Sequence, residues 1–177
     1  MRDRIYVHLV WTTRDRKPTI DQPVARFLSR YLVAVAHQER AGVRALGIVR
    51  THVHLLLQLH PTTNISKLLQ RMKGGSAAVA NREGCTEASR PLRWAKGYSI
   101  TSVSPSALPS AQQYVLEQAR HHPRDAITGW EPEAPFAVVA GGDAKSTPEN
   151  RSPGRSQRQI AEPRLLAAQT RAPWREP

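Results

Sequence analysis

Two hydrophobic periodicities alternate along the first 122 residues, and their order restricts the folds that this chain can adopt. Apolar and polar side chains alternate over residues 5–11, which predicts a strand because successive strand residues point to opposite faces. Residues 24–35 have apolar side chains at helical spacing, which predicts an amphipathic helix. Asp21 is its predicted N-cap, and Gly42 is predicted to end it.

The remaining elements complete a recognisable order. Runs 43–50 and 52–59 are rich in β-forming residues and predict a hairpin. Asn64 or Ser66 can cap a second helix whose predicted inner face contains Ile65, Leu68, Leu69, Met72 and Val79. A strand over 98–103 and a helix over 110–121, stopped by Pro123, follow. The order β-α-β-β-α-β predicts an α+β, ferredoxin-like antiparallel sheet with helices on one face, plus a C-terminal helix that carries Tyr114.

Charge and proline divide the chain near residue 123. Residues 1–122 contain 18 Lys and Arg against 7 Asp and Glu, whereas residues 123–177 contain 8 against 7 and hold 8 of the 14 prolines. Such a segment buries too little apolar surface to offset its conformational entropy. We therefore expect a folded domain over 1–122 and a largely disordered tail over 123–177, with at most a short helix over 160–170.

The net charge of +12 favours an anionic partner, and the phosphate backbone of a nucleic acid matches it best. Cys85 is the only cysteine, which excludes an internal disulfide and fits a reducing cytosol. No apolar run approaches the roughly 20 residues of a membrane helix. These features predict a soluble protein without a membrane partner, located in the cytoplasm and associated with the nucleoid.

Two short patterns contain residues that could bind a metal ion or act as a nucleophile. His52 and His54 lie two apart on a predicted strand, so both imidazoles project from one face and could hold one divalent metal ion. Taken alone, such a pair is more often two polar residues on an outer face. Tyr114 and Gln118 lie four apart on one face of the last predicted helix, with His121 about a turn further on. A tyrosine hydroxyl can act as a nucleophile, although most helical tyrosines only pack.

Together these segments resemble the HUH endonucleases, and within them the single-tyrosine transposases of the IS200/IS605 type and their relatives associated with repetitive extragenic palindromes. The similarity covers about residues 4–122. Its motifs are the run His8-Leu9-Val10-Trp11-Thr12-Thr13-Arg14 near the start of the chain, the His52-Val53-His54 pair, Lys73-Gly74-Gly75-Ser76, Trp94 with Gly97-Tyr98, and Tyr114 followed by Gln118.

The resemblance implies a DNA-cleaving enzyme that acts in transposition. Its metal, Mg²⁺ or Mn²⁺, would be held by His52, His54 and Gln118. Tyr114 would attack the scissile phosphate of single-stranded DNA and become linked to the 5′ phosphate, freeing a 3′ hydroxyl. Hairpin DNA ends are the implied substrate. Some relatives are homodimers that pair the tyrosine helix with the partner's histidines, and some with longer tails are monomers, so the tail leaves both arrangements open.

Clustered basic residues are the predicted contacts to the DNA backbone. They are Arg14, Arg16 and Lys17 after the first strand, and Lys67, Arg71 and Lys73 on the second helix. Trp11, Trp94 or Tyr98 could stack on unpaired bases, although the apolar phase of Trp11 favours a place in the core.

Two other functions are compatible with parts of the pattern. A catalytically inactive or domesticated protein of the same fold would still bind single-stranded nucleic acid. A metal-dependent hydrolase of small substrates would need a general base, and Glu117 faces away from Tyr114 and Gln118 on an ideal helix. Because His52, His54 and Tyr114 are all present, the enzyme acting on DNA is the preferred interpretation.

Overall fold

The computed structural model describes residues 5–131, and four antiparallel strands form its central sheet. They are β1 (Ile5–Thr12), β2 (Ala41–Val49), β3 (His52–Leu59) and β4 (Ser99–Val103), in the spatial order β2-β3-β1-β4. The β2–β3 hairpin thus places β3 beside β1, which is the split βαβ arrangement. This confirms the α+β, ferredoxin-like prediction.

Five helices surround this sheet within the described part of the chain. They are α1 (Gln22–Gln38), α2 (Ile65–Gln70), α3 (Ser76–Arg82), α4 (Leu108–Leu116) and α5 (Gln118–His121). The five-residue π-helical segment Arg71–Gly75 joins α2 to α3. None of the helices between residues 5 and 131 is long and apolar enough to cross a membrane.

The main core lies between one face of the sheet and helices α1 to α3. Alternate residues of β1 and β3 supply it, since their strand period points every second side chain inward. Its largest fully buried members include Leu9, Trp11, Leu28, Leu32, Leu46, Leu55, Leu57, Leu68 and Met72. The stripes predicted on β1 and α1 therefore lie where their periodicity indicates.

Helix α4 lies on the opposite face of the sheet, a placement that the sequence pattern did not predict. The ring of Tyr114 contacts His8 of β1 and His54 of β3, which point away from the main core. Buried apolar residues also line this second face, so β1 and β3 are covered on both sides; they include Tyr6, Val10, Ala45, Leu56, Ala111 and Val115.

An irregularity in β2 determines which of its residues lie under α4. Val43 pairs with Leu57 but Ala45 pairs with Leu56, so Arg44 is an extra residue in the strand. A bulge of this kind shifts the side-chain phase by one. After it, Leu46 and Ile48 point into the core and Gly47 points toward α4.

The predicted N-caps of the helices agree with the structure, whereas the predicted end of the first helix does not. The Asp21 carboxylate accepts a hydrogen bond from Val24 N at 3.1 Å, and Asn64 Oδ1 accepts one from Lys67 N at 3.0 Å. The prediction that Gly42 ends the first helix is wrong. Helix α1 ends at Gln38, Arg40 takes a left-handed conformation with φ of 58°, and Gly42 lies within β2.

The second and last predicted helices differ from simple amphipathic helices. Ile65 is 39% exposed and Val79 is only half-buried, so neither belongs to the fully buried face predicted for them. The helix over 110–121 begins earlier and is interrupted at Glu117, whose backbone at φ −91° and ψ 20° separates α4 from α5.

Residues just beyond the predicted domain boundary return to the sheet. Ile127 is buried, Trp130 packs against the main core, and Gln22 Nε2 donates a hydrogen bond to Gly129 O at 2.5 Å. The Arg50 amide donates to Asp125 O at 2.8 Å. The rest of the predicted tail, including the short helix at 160–170, lies outside the described residues.

Candidate active site beneath the tyrosine helix

The two predicted metal-binding histidines lie side by side at the start of β3. Their ring centroids are 5.0 Å apart, and each side chain is only 1% exposed. They share the face that α4 covers, because β3 places i and i+2 on the same side. The structure thus brings together the pair that the sequence singled out, in a buried environment.

Tyr114 enters the same site from α4. Its ring centroid lies 5.9 Å from that of His54 and 6.1 Å from that of His8, both edge to face. His121, one element later, lies 4.8 Å from the Tyr114 ring. Tyr114 is half-buried. All of these residues belong to one chain.

Gln118 completes the predicted set at the first residue of α5. Its side chain is 1% exposed, and its Nε2 donates to Tyr114 O at 3.0 Å. The Oε1 atom is buried and has no hydrogen-bond partner within residues 5–131. A buried carbonyl oxygen without a donor is costly, so this atom is suited to accept a cation or a hydrogen bond from a ligand.

Gly47 allows the helices to approach the sheet this closely. It pairs with His54 across the β2–β3 ladder. A Cβ atom built at position 47 would overlap the carbonyl oxygen of Val115 and lie 2.6 Å from Gln118 Cγ. Because Gly47 has no side chain, α4 and α5 can lie close enough to the sheet for Tyr114 and Gln118 to sit above the histidines.

His8 is a site residue that the sequence motifs did not single out as functional. Its Nε2 lies 2.9 Å from His54 Nδ1, and the side chain is 5% exposed. Burial, with the nearby His54, lowers the pKa of His8 to about 4. A neutral His8 can accept a hydrogen bond from His54 Nδ1–H through its Nε2. Its signal in the sequence was its place in the same strand phase as Tyr6 and Val10.

Thr51 and Asp125 also reach the site without having been predicted. Thr51 Oγ1 lies 2.9 Å from His52 Nδ1 and donates to Asp125 Oδ2 at 3.0 Å. His122 lies beside the same ring, with centroids 4.7 Å apart. Because Asp125 and His122 follow the tyrosine helix in sequence, only the return of the chain to β3 reveals them.

The donor set fits a divalent metal only if an amide takes part. Across residues 5–131, no three His, Cys, Asp or Glu side chains form a group that could hold a metal ion. His52 and His54 supply two imidazoles, and Gln118 Oε1 supplies a buried oxygen. Two imidazole nitrogens and one amide oxygen can together hold one divalent cation and leave coordination positions for substrate oxygens.

The first predicted basic cluster lies at the histidine end of the sheet. Thr13 N donates to Thr51 O at 2.7 Å, which places the turn after β1 beside the start of β3. Arg14, Arg16 and Lys17 follow in that turn, and all three are exposed. Asp15 and Arg16 have positive φ angles of 56° and 50°, which are uncommon for residues with side chains.

The second predicted cluster is engaged within the protein. Arg71 donates to Glu39 Oε1 at 2.5 Å, and Lys67 Nζ lies 3.3 Å from the same oxygen. The hydrogen bond from Arg71, with Lys67 nearby, lowers the pKa of Glu39. Glu39 lies just before Ala41, the residue of β2 that pairs with Leu59 at the end of β3. At 3.3 Å per residue, Leu59 is about 23 Å along β3 from His52, so this cluster is far from the histidines.

Lys73 is likewise committed to the backbone. Its ammonium donates to the carbonyls of Ala95, Lys96 and Gly97, at 2.9, 3.2 and 2.5 Å. Burial lowers its pKa. This lysine therefore holds the loop before β4, and its three donors are occupied.

The aromatic residues considered for base stacking differ in exposure. Trp11 is buried in the core, as its strand phase predicted. Trp94 packs edge to face on Trp11 and donates from Nε1 to Ser76 Oγ at 3.0 Å. Tyr98 is 50% exposed, with Lys73 Nζ 5.7 Å from its ring centroid, so it is the most accessible of the three aromatic rings.

The fold and the site define a class of protein: a ferredoxin-like sheet with a buried His-x-His pair beneath a helix that carries a tyrosine and a glutamine. The IS200-like transposase family matches residues 2–118, which include all of these side chains. The chain therefore belongs to the IS200-like transposase family. No match is found among curated protein sequences.

Solved structures agree with this assignment. A candidate transposase from Deinococcus radiodurans R1 is 26% identical, with 67% of this chain and 93% of that chain covered and a TM-score of 0.52. A REP-associated tyrosine transposase bound to a REP hairpin is 11% identical, with 69% and 71% covered and a TM-score of 0.54. The second likeness concerns the fold.

Proposed function

We propose that this transposase is an endonuclease and strand transferase of single-stranded DNA that acts through a covalent link to Tyr114. One observation carries the proposal. Tyr114, His54 and Gln118 come from two helices and a strand, yet they meet in one buried site, with the tyrosine ring 5.9 Å from the His54 ring. A helix whose tyrosine served only for packing would not need Gln118 Oε1 buried beside it without a partner.

His52, His54 and Gln118 are the residues proposed to hold Mg²⁺ or Mn²⁺. When bound, the metal would supply Lewis-acid polarisation of the scissile phosphate. Tyr114 Oη loses its proton and forms a bond to phosphorus, and the bond from phosphorus to the 3′ oxygen breaks. That oxygen takes up the proton released by Tyr114, relayed through solvent, and leaves as a 3′ hydroxyl. The reverse step joins a new 3′ hydroxyl, so the phosphodiester energy is retained in the tyrosine link.

One chain supplies the tyrosine, both histidines and the glutamine. This supports action in cis, in which a second copy is not required to complete the site. A homodimer, as expected for part of the family, would then not be needed to bring Tyr114 to the histidines. By extension from the relative bound to a REP hairpin, we propose hairpin-flanked single strands as the DNA substrate.

The test is to trap the covalent intermediate. Labelled single-stranded oligonucleotides from both flanks of the gene are mixed with the full chain and Mg²⁺ or Mn²⁺, then separated on a denaturing protein gel. We expect a labelled protein band that disappears with a chelator, with the DNA adduct on Tyr114 in peptide mass spectra. Binding without any adduct would favour the alternative, an inactive or domesticated single-stranded DNA-binding protein.

We also propose that the DNA backbone follows the first basic cluster rather than the second. Arg14, Arg16 and Lys17 are exposed at the histidine end, where Arg14 lies 4.0 Å from the exposed Asp15, whereas Lys67 and Arg71 share the buried Glu39 carboxylate far from that end. For Lys67, Arg71 and Lys73, the predicted contact to DNA stays a prediction, and their protein contacts argue against it.

Two double variants that each remove two charges separate these clusters. Arg14→Ala with Lys17→Ala should weaken single-stranded DNA binding and reduce the slope of log affinity against log salt by about 1.4, at about 0.7 for each lost phosphate contact. Lys67→Ala with Arg71→Ala should lower thermal stability but leave the slope nearly unchanged. Equal slopes for both variants would indicate that only net charge matters.

Gly47→Ala should displace the tyrosine helix. The new methyl group meets the backbone carbonyl of Val115, which cannot rotate away, so α4 and α5 must shift. We expect a loss of about 1–3 kcal/mol in stability, as for overpacked cores, and a much larger relative loss of adduct formation. Gly42→Ala in the same strand is the matched control, because no atom lies within 4 Å of its added Cβ. Wild-type adduct yield in Gly47→Ala would contradict this account.

A further inference from the structure

The side chains of Asp125 and Thr51 form a series of hydrogen bonds that ends at His52. The Thr51 hydroxyl has one proton, and it donates that proton to Asp125 Oδ2 at 3.0 Å. A carboxylate can only accept, so the direction of this bond is determined. Thr51 Oγ1 therefore accepts the bond of 2.9 Å from His52 Nδ1. Thr51 is 5% exposed and His52 is 1% exposed, so few water molecules can compete.

The direction of this chain has a consequence for the imidazole. A neutral histidine ring carries one proton, and the chain requires it on Nδ1. The lone pair is then on Nε2, and an imidazole binds a metal through the nitrogen that carries the lone pair. A partner on the second ring nitrogen is the usual means by which proteins orient such ligands. His54 has an equivalent partner on Nδ1 in His8.

Asp125 itself lies after the segment matched by the family. The match ends at residue 118, and Asp125 follows in the stretch that returns to the sheet. The Arg50 amide donates to Asp125 O, and Ile127 is buried two residues later. Backbone contacts thus position this carboxylate independently of its own side chain.

We propose that Asp125 and Thr51 are positioning residues that set His52 in the Nδ1–H tautomer and so keep Nε2 ready to bind the metal. This inference rests on the proposed function, because it assigns to His52 the role of a metal ligand. Asp125 acts through Thr51 and contacts neither DNA nor metal in this scheme. Without its carboxylate, the Thr51 proton becomes available to His52 Nδ1, which would transfer the ring proton to Nε2.

The test measures the tautomer and the metal separately. Nitrogen-15 spectra of the metal-free full chain report which ring nitrogen of His52 carries the proton. We expect Nδ1–H in the wild type and in Thr51→Ser, and a shift toward Nε2–H in Asp125→Ala. Titration with Mn²⁺, followed by the paramagnetic resonance of the free ion, should show about 10–100-fold weaker binding for Asp125→Ala and Thr51→Val, with Thr51→Ser close to wild type.

Controls separate positioning from folding and from the proposed function. Thr62→Val removes an exposed hydroxyl beyond the end of β3 that is far from His52 and should leave Mn²⁺ affinity unchanged, and thermal unfolding identifies any variant that fails to fold. A wild-type His52 protonated on Nε2, or unchanged Mn²⁺ affinity in folded Asp125→Ala, overturns the proposal. If the tautomer and affinities behave as expected but no covalent adduct forms, the positioning role stands and the DNA-cleaving function fails.

Discussion

Replacing Tyr114 with phenylalanine should abolish the covalent protein–DNA adduct while leaving the fold and DNA binding intact. The change removes one hydroxyl, which is the proposed nucleophile, and retains the ring that contacts His8, His54 and His121. We expect a fall in adduct yield of about a thousandfold or more, as for removal of other enzymatic nucleophiles.

Tyr98→Phe is the matched control, since it removes a hydroxyl from a 50% exposed tyrosine outside the site. Both variants are compared with the wild type by adduct yield, thermal unfolding and affinity for the same oligonucleotide. An adduct in Tyr114→Phe that matches the wild-type yield would mean that another residue is the nucleophile.

Loss of His54 should remove both metal binding and cleavage. His54→Ala deletes one of two imidazoles in a set of three donors, and Gln118 alone cannot replace it because an amide oxygen is a weak ligand. We expect Mn²⁺ affinity to fall by more than the roughly 10–100-fold typical of a lost outer partner, with adduct formation lost in parallel. Calorimetric titration with Mn²⁺ measures the first effect, and the gel assay measures the second.

His37→Ala makes the same change on the exposed surface of α1 and should affect neither quantity. Because His54 is buried, His54→Asn is included as a variant that fills more of the space, and thermal unfolding is recorded for both. Cleavage that persists with wild-type metal dependence in a folded His54 variant would refute the assignment of this residue as a ligand.

Local patterns predicted most of the architecture. The bounds of β3 and the Asp21 cap agree with the structure, because strand alternation and capping depend on neighbouring residues. The same locality explains the errors. Glycine favours the end of a helix, which predicts that role for Gly42, whereas in the structure Arg40 has the left-handed conformation and β2 pairs with β3 from Ala41 onward.

The candidate site was predictable where its residues are close in sequence. His52 and His54 share a strand face, and Tyr114 and Gln118 share a helix face, so spacing alone groups each pair. Their meeting depends on the phase shift at Arg44 and on the space above Gly47, which no local pattern reveals. The clusters of Lys67, Arg71 and Lys73 illustrate the same limit, since charge in a sequence does not show which partner will neutralise it.

Side-chain chemistry and short-range periodicity were enough to predict the order of the elements, the pair of imidazoles on β3 and the tyrosine that we propose as the nucleophile. The contacts of His8 with His54 and of Asp125 with Thr51 depend on tertiary packing and could not be predicted from the sequence. Each of these contacts joins residues more than 40 positions apart, and burial between sheet and helix makes their hydrogen bonds consequential. Spacing in the sequence specifies the face of a helix or strand on which a side chain lies, whereas tertiary packing specifies which residues it contacts on that face.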